Sequence, residues 1–460
     1  MTIAVFAISL LTLSLSIYLF RLATGESLRR VNMLSYAFML LFVITYIGCV
    51  TITLQIPWLG FEEARMPQNF RHFGQSNSGI FPALGVWVMV MWTFIGIPIG
   101  AIFINMCAKG APISVRMAQY REMRCHAGLQ LSEREMFRVV LFATILALLW
   151  NLYFSPDNPA LRILIEGGGV VEGQIARRQA ERGSGFFIMD LLLSLSSLTM
   201  LNLMAFAMSI NTRLFRWKLL FILGMLSLFL FNISNATISH IMFYMLSLTF
   251  TRAMMGGKFI RPIEAVAAMV LVTMFFSFFK GFGEFSLLNV LIDHVSHRIF
   301  YGQLFGSYYA LEIFPDHKDF LWFSSTGRLI HEFLDAEFNN SYGLIMMRYY
   351  YQEGVQAGNA GHYTTFFMGE AWANFSLYGV IIAPLWVGGV VQLVNRFLIK
   401  QGRNAVQVAM YVYLSISFGY HSDFIGFYYP VGYIFSVIGF LLLMWISKKL
   451  VLMMLPTSRR

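Results

Sequence analysis

Apolar residues gather along this chain into runs of about twenty, the length at which a helix matches a hydrocarbon layer of ~30 Å. About eleven such runs are recognisable, two of them short: 2–22, 33–56, 80–107, 137–154, 186–210, 219–232, 238–251, 263–280, 376–395, 405–420 and 427–447. The pattern predicts an all-α polytopic membrane protein of about 11 transmembrane helices. Polar stretches separate the runs, and most are too short to hold a site of their own. The exceptions are 58–79, 108–136, 155–185 and, by far the longest, 281–375. The expected organisation is therefore spans 1–8 within 1–280, interrupted by the loop 155–185, then a large loop over 281–375, then spans 9–11 and a tail over 376–460.

The large loop has its own periodicity. Between Phe285 and Phe314 the residues Leu288, Leu291, Val295 and Ile299 recur at helical spacing. The pairs Asp293 with His297 and His294 with Arg298 recur at four-residue spacing on a more polar side. An amphipathic helix directly after a span is expected to lie along the membrane surface. A second short helix is predicted between Gly327 and Phe338, and the glycines from Gly354 to Gly361 predict a turn before the ninth span.

Charge supplies the orientation. About 22 of the 33 lysines and arginines fall on alternate connections that share the tail's side of the membrane, where cytoplasmic segments accumulate them. The first run has no basic residue before it and Arg21, Arg29 and Arg30 after it, the reverse of a secretory signal. The predicted topology is N-out and C-in, with 155–185 and 281–375 outside. A net charge of +10 then reads as anchoring to an anionic inner leaflet. Nucleic-acid binding is excluded, because no basic face is interleaved with stacking aromatics. With 58% hydrophobic and 12% charged residues, the composition belongs to the membrane class.

Chemistry is limited by what is absent. No glycine-rich phosphate loop ends in Lys and Ser or Thr, and no inner connection is long enough for a nucleotide-sugar domain, so an enzyme of this design takes its activated substrate from the membrane or from outside. The three cysteines, Cys49, Cys107 and Cys125, are too scattered for a disulfide framework. His294 and His297 have no cysteine or His-Glu-x-x-His partner, so no metal and no cofactor are expected. The large loop holds five of the nine histidines, together with Arg298, Arg328 and Arg348, and the loop 155–185 holds Arg177, Arg178 and Arg182 on the side that topology does not favour. Arginine suits a diphosphate, since its planar fork donates paired hydrogen bonds and keeps its charge, and a histidine or carboxylate can accept a proton from a hydroxyl.

These features together resemble a Wzy-type polymerase of O-antigen or exopolysaccharide repeat units. Two local segments carry the likeness beyond the span count and the two outward loops: HVSHRIF around Arg298, and GHYTTFFMGEAWANFSLYGV entering the ninth span. In that family the latter resembles Gly-Glu, an aromatic, Asn-Phe-Gly and a further Gly; here Ser376 stands at the glycine of Asn-Phe-Gly. The resemblance implies a metal-independent glycosyltransferase of the bacterial inner (cytoplasmic) membrane. Its donor would be a glycan on undecaprenyl diphosphate and its acceptor a lipid-linked repeat unit, with membrane lipid and a chain-length regulator as further candidate partners. The candidate substrate-binding cations are Arg177, Arg178, Arg182, Arg298, Arg328 and Arg348. For the base, His331 ranks before His294, Glu370 and His362, because it lies three residues after Arg328 on one predicted helix face, with Asp335 placed to orient its ring. Glu370 has the motif match, but a carboxylate at a span entrance can instead fix a helix start by accepting amides. An O-antigen ligase shares the donor chemistry; a lipid-linked oligosaccharide flippase or exporter is a further alternative, and the apolar interiors of the spans count against it.

Overall fold

A computed structural model describes residues 2–54, 80–153, 187–234, 238–256, 300–325, 342–350, 352–356, 363, 365–420 and 422–454. Among these residues every regular element is helical. In chain order they are α1 (Thr2–Thr24), α2 (Met33–Leu41), a π-helical turn (Phe42–Tyr46), α3 (Ile47–Thr53), α4 (Ile80–Cys107), α5 (Ile113–Glu122), α6 (Glu133–Tyr153), α7 (Phe187–Leu192) and α8 (Leu195–Thr212). There follow α9 (Phe215–Ser234), α10 (Ile238–Met254), α11 (Phe305–Ile313), α12 (Tyr342–Tyr350), α13 (Gln352–Gln356), α14 (Phe367–Lys400), α15 (Ala405–Ser417), α16 (Ile425–Tyr428) and α17 (Val431–Met453). Among the described residues six helical stretches are long and apolar enough to cross a membrane: Thr2–Thr24, Met33–Thr53, Leu84–Cys107, Glu133–Leu152, Phe367–Lys400 and Val431–Met453. The protein is an all-α, multi-pass membrane protein. The run 263–280 and the predicted helix at 327–338 lie outside the described residues.

The helices form two compact units, neither continuous in sequence. The first comprises 1–115, 283–396 and 418–429, and the second 116–282, 397–417 and 430–460. Division by membrane crossing, as in 1–280, 281–375 and 376–460, follows the order of the chain, whereas these units follow packing.

In the first unit α1 packs along α4. Because lipid tails are as apolar as the side chains, close backbone approach and hydrogen bonds hold such helices together. Ser16 donates to the carbonyl of Phe94 at 2.8 Å and the Trp87 indole to Ser9 at 2.9 Å. A Cβ at Gly388 of α14 would collide with the Ile97 carbonyl, so only glycine lets α14 approach α4 this closely. Asn32 caps α2 through reciprocal bonds with Ser35, of 2.9 and 2.8 Å. At one end of these helices Asn105 donates to the Ala23 carbonyl at 2.7 Å, while its own oxygen accepts from Gln392 at 2.6 Å and from Arg396 at 3.0 Å. Asn395 extends the network to Gln392 at 3.1 Å. Gln392, Asn395 and Arg396 are all buried. At the other end α11 packs on α4, and α12 on α11.

The second unit is built on α8, which packs against α6, α9, α10, α15 and α17. The apolar run 186–210 is divided because Ser194 turns the chain and caps α8, accepting the Ser197 amide at 3.2 Å. Asn202 joins α8 to α9 by donating to the Phe221 carbonyl at 2.9 Å, and accepts the Tyr244 hydroxyl of α10. Glu133 accepts from Arg216 and from the Trp217 indole, both at 2.6 Å. Arg403 ties the segment after α5 to the end of α10: its guanidinium donates to the carbonyls of Arg121 at 2.7 Å, Met123 at 2.9 Å and Met254 at 2.6 Å. The neighbouring chain pairs as an isolated parallel bridge, with Ala405 donating to His126 at 2.9 Å and His126 to Arg403 at 3.2 Å.

Candidate functional site

The segment GEAWANFSLYG, from Gly369 to Gly379, does not form one straight helix. At Ser376 the backbone leaves the helical region for φ 56°, ψ −146°, a conformation almost confined to glycine, and α14 breaks there into two arms. The arms fold sharply against each other, and a Cβ at Gly379 would collide with the carbonyl of Ala371, eight residues earlier.

A broken helix strands the last carbonyls of its first arm. Two of them are met by a separate piece of chain: the amides of Leu321 and Trp322 donate to Ala373 and Asn374, each at 2.9 Å. To present successive amides this way the turn at 321–324 adopts left-handed backbone at two bulky residues, with φ 41° at Trp322 and 74° at Phe323. Ser324 closes it by donating to the Leu321 carbonyl at 2.7 Å. The side chains of the first arm complete the crossing. Asn374, fully buried, donates to the Glu370 carbonyl at 3.1 Å and accepts from Ser325 at 2.8 Å, and Trp372 donates to the Phe314 carbonyl at 3.2 Å. The Phe375 ring lies 4.6 Å from Phe323, 6.4 Å from Trp322 and 6.0 Å from Tyr428.

Glu370 is 2% exposed. Its Oε2 accepts the amides of Phe424 and Ile425, the latter at 2.9 Å, so the carboxylate starts the short helix α16 rather than its own. Asp423 lies near enough for its charge to act on Glu370. Beside the pair, the Tyr342 hydroxyl of α12 meets Thr365 and donates to the Ser422 carbonyl at 3.0 Å. Burial pushes this phenol well above its ordinary range, and the charges of Glu370 and Asp423 add to the effect, so it stays a neutral donor. On the same helix Arg348 is exposed, Tyr350 stacks on Tyr309 at 4.0 Å and donates to Glu312 at 2.6 Å, and the exposed Tyr349 packs near His317 at 5.4 Å.

No family model matches this chain, and comparison with curated proteins and with solved structures gives no match. The candidate residues are therefore judged by geometry alone. Glu370 and Arg348 both belong to the first unit, the one buried and the other exposed. His331, His294, His362, Arg177, Arg178, Arg182, Arg298 and Arg328 lie outside the described residues. Among the described residues no group of three His, Cys, Asp or Glu is placed to hold a metal ion. Sequence reasoning missed Tyr342 and Asp423 as neighbours of Glu370, and Thr365 as the partner of Tyr342. One signal for Asp423 was present, an acidic residue in the short connection between two apolar runs.

Proposed function

We propose that this protein polymerises oligosaccharide repeat units carried on undecaprenyl diphosphate, as a glycosyltransferase working at the outer face of a bacterial inner membrane through the N-out, C-in arrangement of about 11 spans. The observation that carries the reading is the broken helix. The likeness to Wzy-type polymerases rests on the span count, the two outward loops and two local segments, and in one of these segments Glu370, Trp372, Asn374, Phe375 and Gly379 each have a physical reason in one crossing. Ser376 occupies the backbone region where the family's glycine would be unstrained, and Gly379 fills a position where a side chain would strike the Ala371 carbonyl. A spacing demanded by such a geometry is a stronger signal than a chance run of apolar letters.

In this reading the crossing is a scaffold and the outward loops are the chemistry. An acceptor hydroxyl attacks the anomeric carbon of the growing glycan, the bond from that carbon to the lipid diphosphate breaks, and the hydroxyl proton passes to a base. Arg177, Arg178, Arg182, Arg298, Arg328 and Arg348 are the candidate cations for the departing diphosphate. His331 is the first candidate base, with His294 and His362 behind it. Glu370, buried with two amides on one oxygen, is better suited to holding α16 in place.

The test is reconstitution. Purified protein in liposomes, supplied with an undecaprenyl-diphosphate oligosaccharide, should give a ladder of products one repeat apart, shortened by lysine at the arginines that bind diphosphate. Transfer to lipid A core without a ladder would make it a ligase, and turnover of neither kind would end the proposal.

A further inference from the structure

We infer that the turn at 321–324 is a membrane foot, with Trp322 and Phe323 seated in the interfacial layer of the bilayer beside the break in α14. Three observations converge on this. The first is strain without concealment. Two consecutive bulky residues take left-handed backbone, held by the bonds from Leu321 and Trp322 to the stranded carbonyls, yet these residues are 54% and 37% exposed. A turn fixed this firmly presents its aromatic rings instead of burying them.

The second observation is continuity. The exposed rings lean on Phe375, and directly after Phe375 the second arm of α14 carries an exposed apolar face. Leu377 and Ile381 form one row at four-residue spacing and Tyr378, Ile382 and Trp386 another, all between about half and two thirds exposed. On a helix long and apolar enough to span a membrane, such a face belongs against lipid. Trp322 and Phe323 extend that face past the end of the helix.

The third observation is depth. From Leu377 to Arg396 the arm rises about 30 Å at ~1.5 Å per residue, the thickness of the hydrocarbon core. With the cationic end of this helix at one boundary of the bilayer, its break lies at the other, where amphipathic aromatic rings collect. A few residues earlier Asp316, His317 and Asp319 are exposed and polar, so the foot marks the level at which the chain leaves lipid for water.

Site-directed spin labelling decides this in the full-length protein in phosphatidylethanolamine–phosphatidylglycerol liposomes. The background replaces exposed Cys107 by Ser; Cys49 and Cys125 are buried. Nitroxides are placed at Trp322→Cys, Phe323→Cys, Asp316→Cys as the water reference and Tyr378→Cys as the lipid reference. Collision with oxygen and with a water-soluble nickel chelate is then measured at each. Labels at 322 and 323 are expected to shift from the water-like ratio of position 316 toward the lipid-like ratio of 378. Water-like ratios at both would overturn the proposal, as would protection from both reagents, which would place a second protein copy on the turn. Lipids brominated near the headgroup supply a measurement with no cysteine: they are expected to quench the native protein more than Trp322→Phe, and equal quenching would count against the foot.

Discussion

The carboxylate of Glu370 accepts the backbone amide of Ile425 at 2.9 Å, and the same oxygen accepts the amide of Phe424. This fixes α16 to the first arm of α14. Glu370→Ala leaves a buried and a part-buried amide unpaired, for a loss of about 1–3 kcal/mol each at most. Glu370→Gln keeps an acceptor oxygen at the same place. The expected outcome is a sharply reduced yield of folded protein for the alanine variant and near-normal yield and polymer synthesis for the glutamine variant. Polymer lost from a well-inserted glutamine variant would show instead that the charge itself takes part in the reaction.

Ser376 holds a backbone conformation that costs a non-glycine residue about 1–3 kcal/mol. Ser376→Gly is expected to raise the midpoint of thermal unfolding in detergent, by an amount equivalent to about 1 kcal/mol. Ser376→Val, with a branched Cβ, is expected to lower it. A glycine variant less stable than the native protein would mean that the serine hydroxyl, rather than the backbone, is what the position requires.

The long apolar helices were legible because their signal is long and repeated. The runs expected at 80–107, 137–154 and 238–251 correspond to α4 (Ile80–Cys107), α6 (Glu133–Tyr153) and α10 (Ile238–Met254). The run 186–210 hid a boundary, since Leu193 and Ser194 are as compatible with a continuous helix as with a cap, and only the bond from Ser197 to Ser194 distinguishes them. The span expected to begin at 376 starts where α14 breaks, because an apolar count registers the second arm and is blind to a turn in which one residue changes φ. The site was legible only as a motif. That Glu370 serves residues 424 and 425, more than fifty positions away, is a tertiary fact with no local trace.

Arg403 donates to three carbonyls in two segments, those of Arg121 and Met123 at the end of α5 and that of Met254 at the end of α10. Lysine preserves the charge but has no planar fork, and it cannot reach Arg121, Met123 and Met254 in the same geometry. Arg403→Lys is expected to cost about 2–4 kcal/mol, given charge-assisted bonds of ~1.5–3 kcal/mol each. The measurement is limited proteolysis. Cleavage between α5 and α6 should accelerate in the variant, and an unchanged rate would show that the clasp does not hold that segment.

Cys125 lies in the same region, buried, and burial pushes its thiol up to about 11, although the charge of Arg403 pulls the other way. Because the shift is upward, the reactive thiolate is scarce below that value and grows only as the pH rises toward it. Maleimide at pH 7.5 is therefore expected to modify the exposed Cys107 and to spare Cys125. In Cys107→Ser, labelling should be slow at neutral pH and increase as alkali is added. Rapid labelling of Cys125 at pH 7.5 would contradict its burial.

The network around Asn105 gives the last prediction. Its side-chain oxygen is shared by Gln392 at 2.6 Å and Arg396 at 3.0 Å, while its nitrogen serves the Ala23 carbonyl at 2.7 Å, so one small amide joins α1, α4 and α14. Read from the sequence, these residues are ordinary polar endings of apolar runs, and nothing local shows that they meet. The burial of Gln392 and Arg396 raises the stakes, since a buried guanidinium that loses one acceptor keeps its desolvation cost with less to offset it. Asn105→Leu removes the acceptor without adding a competing polar group, and is expected to cost about 1–3 kcal/mol. Asn105→Asp supplies two acceptor oxygens and a charge opposite to that of Arg396, but gives up the donor to Ala23. It should therefore retain more stability than the leucine variant. Unfolding midpoints of the native protein and both variants, measured in one detergent, test this order; a leucine variant as stable as the native protein would show that Arg396 does not depend on Asn105.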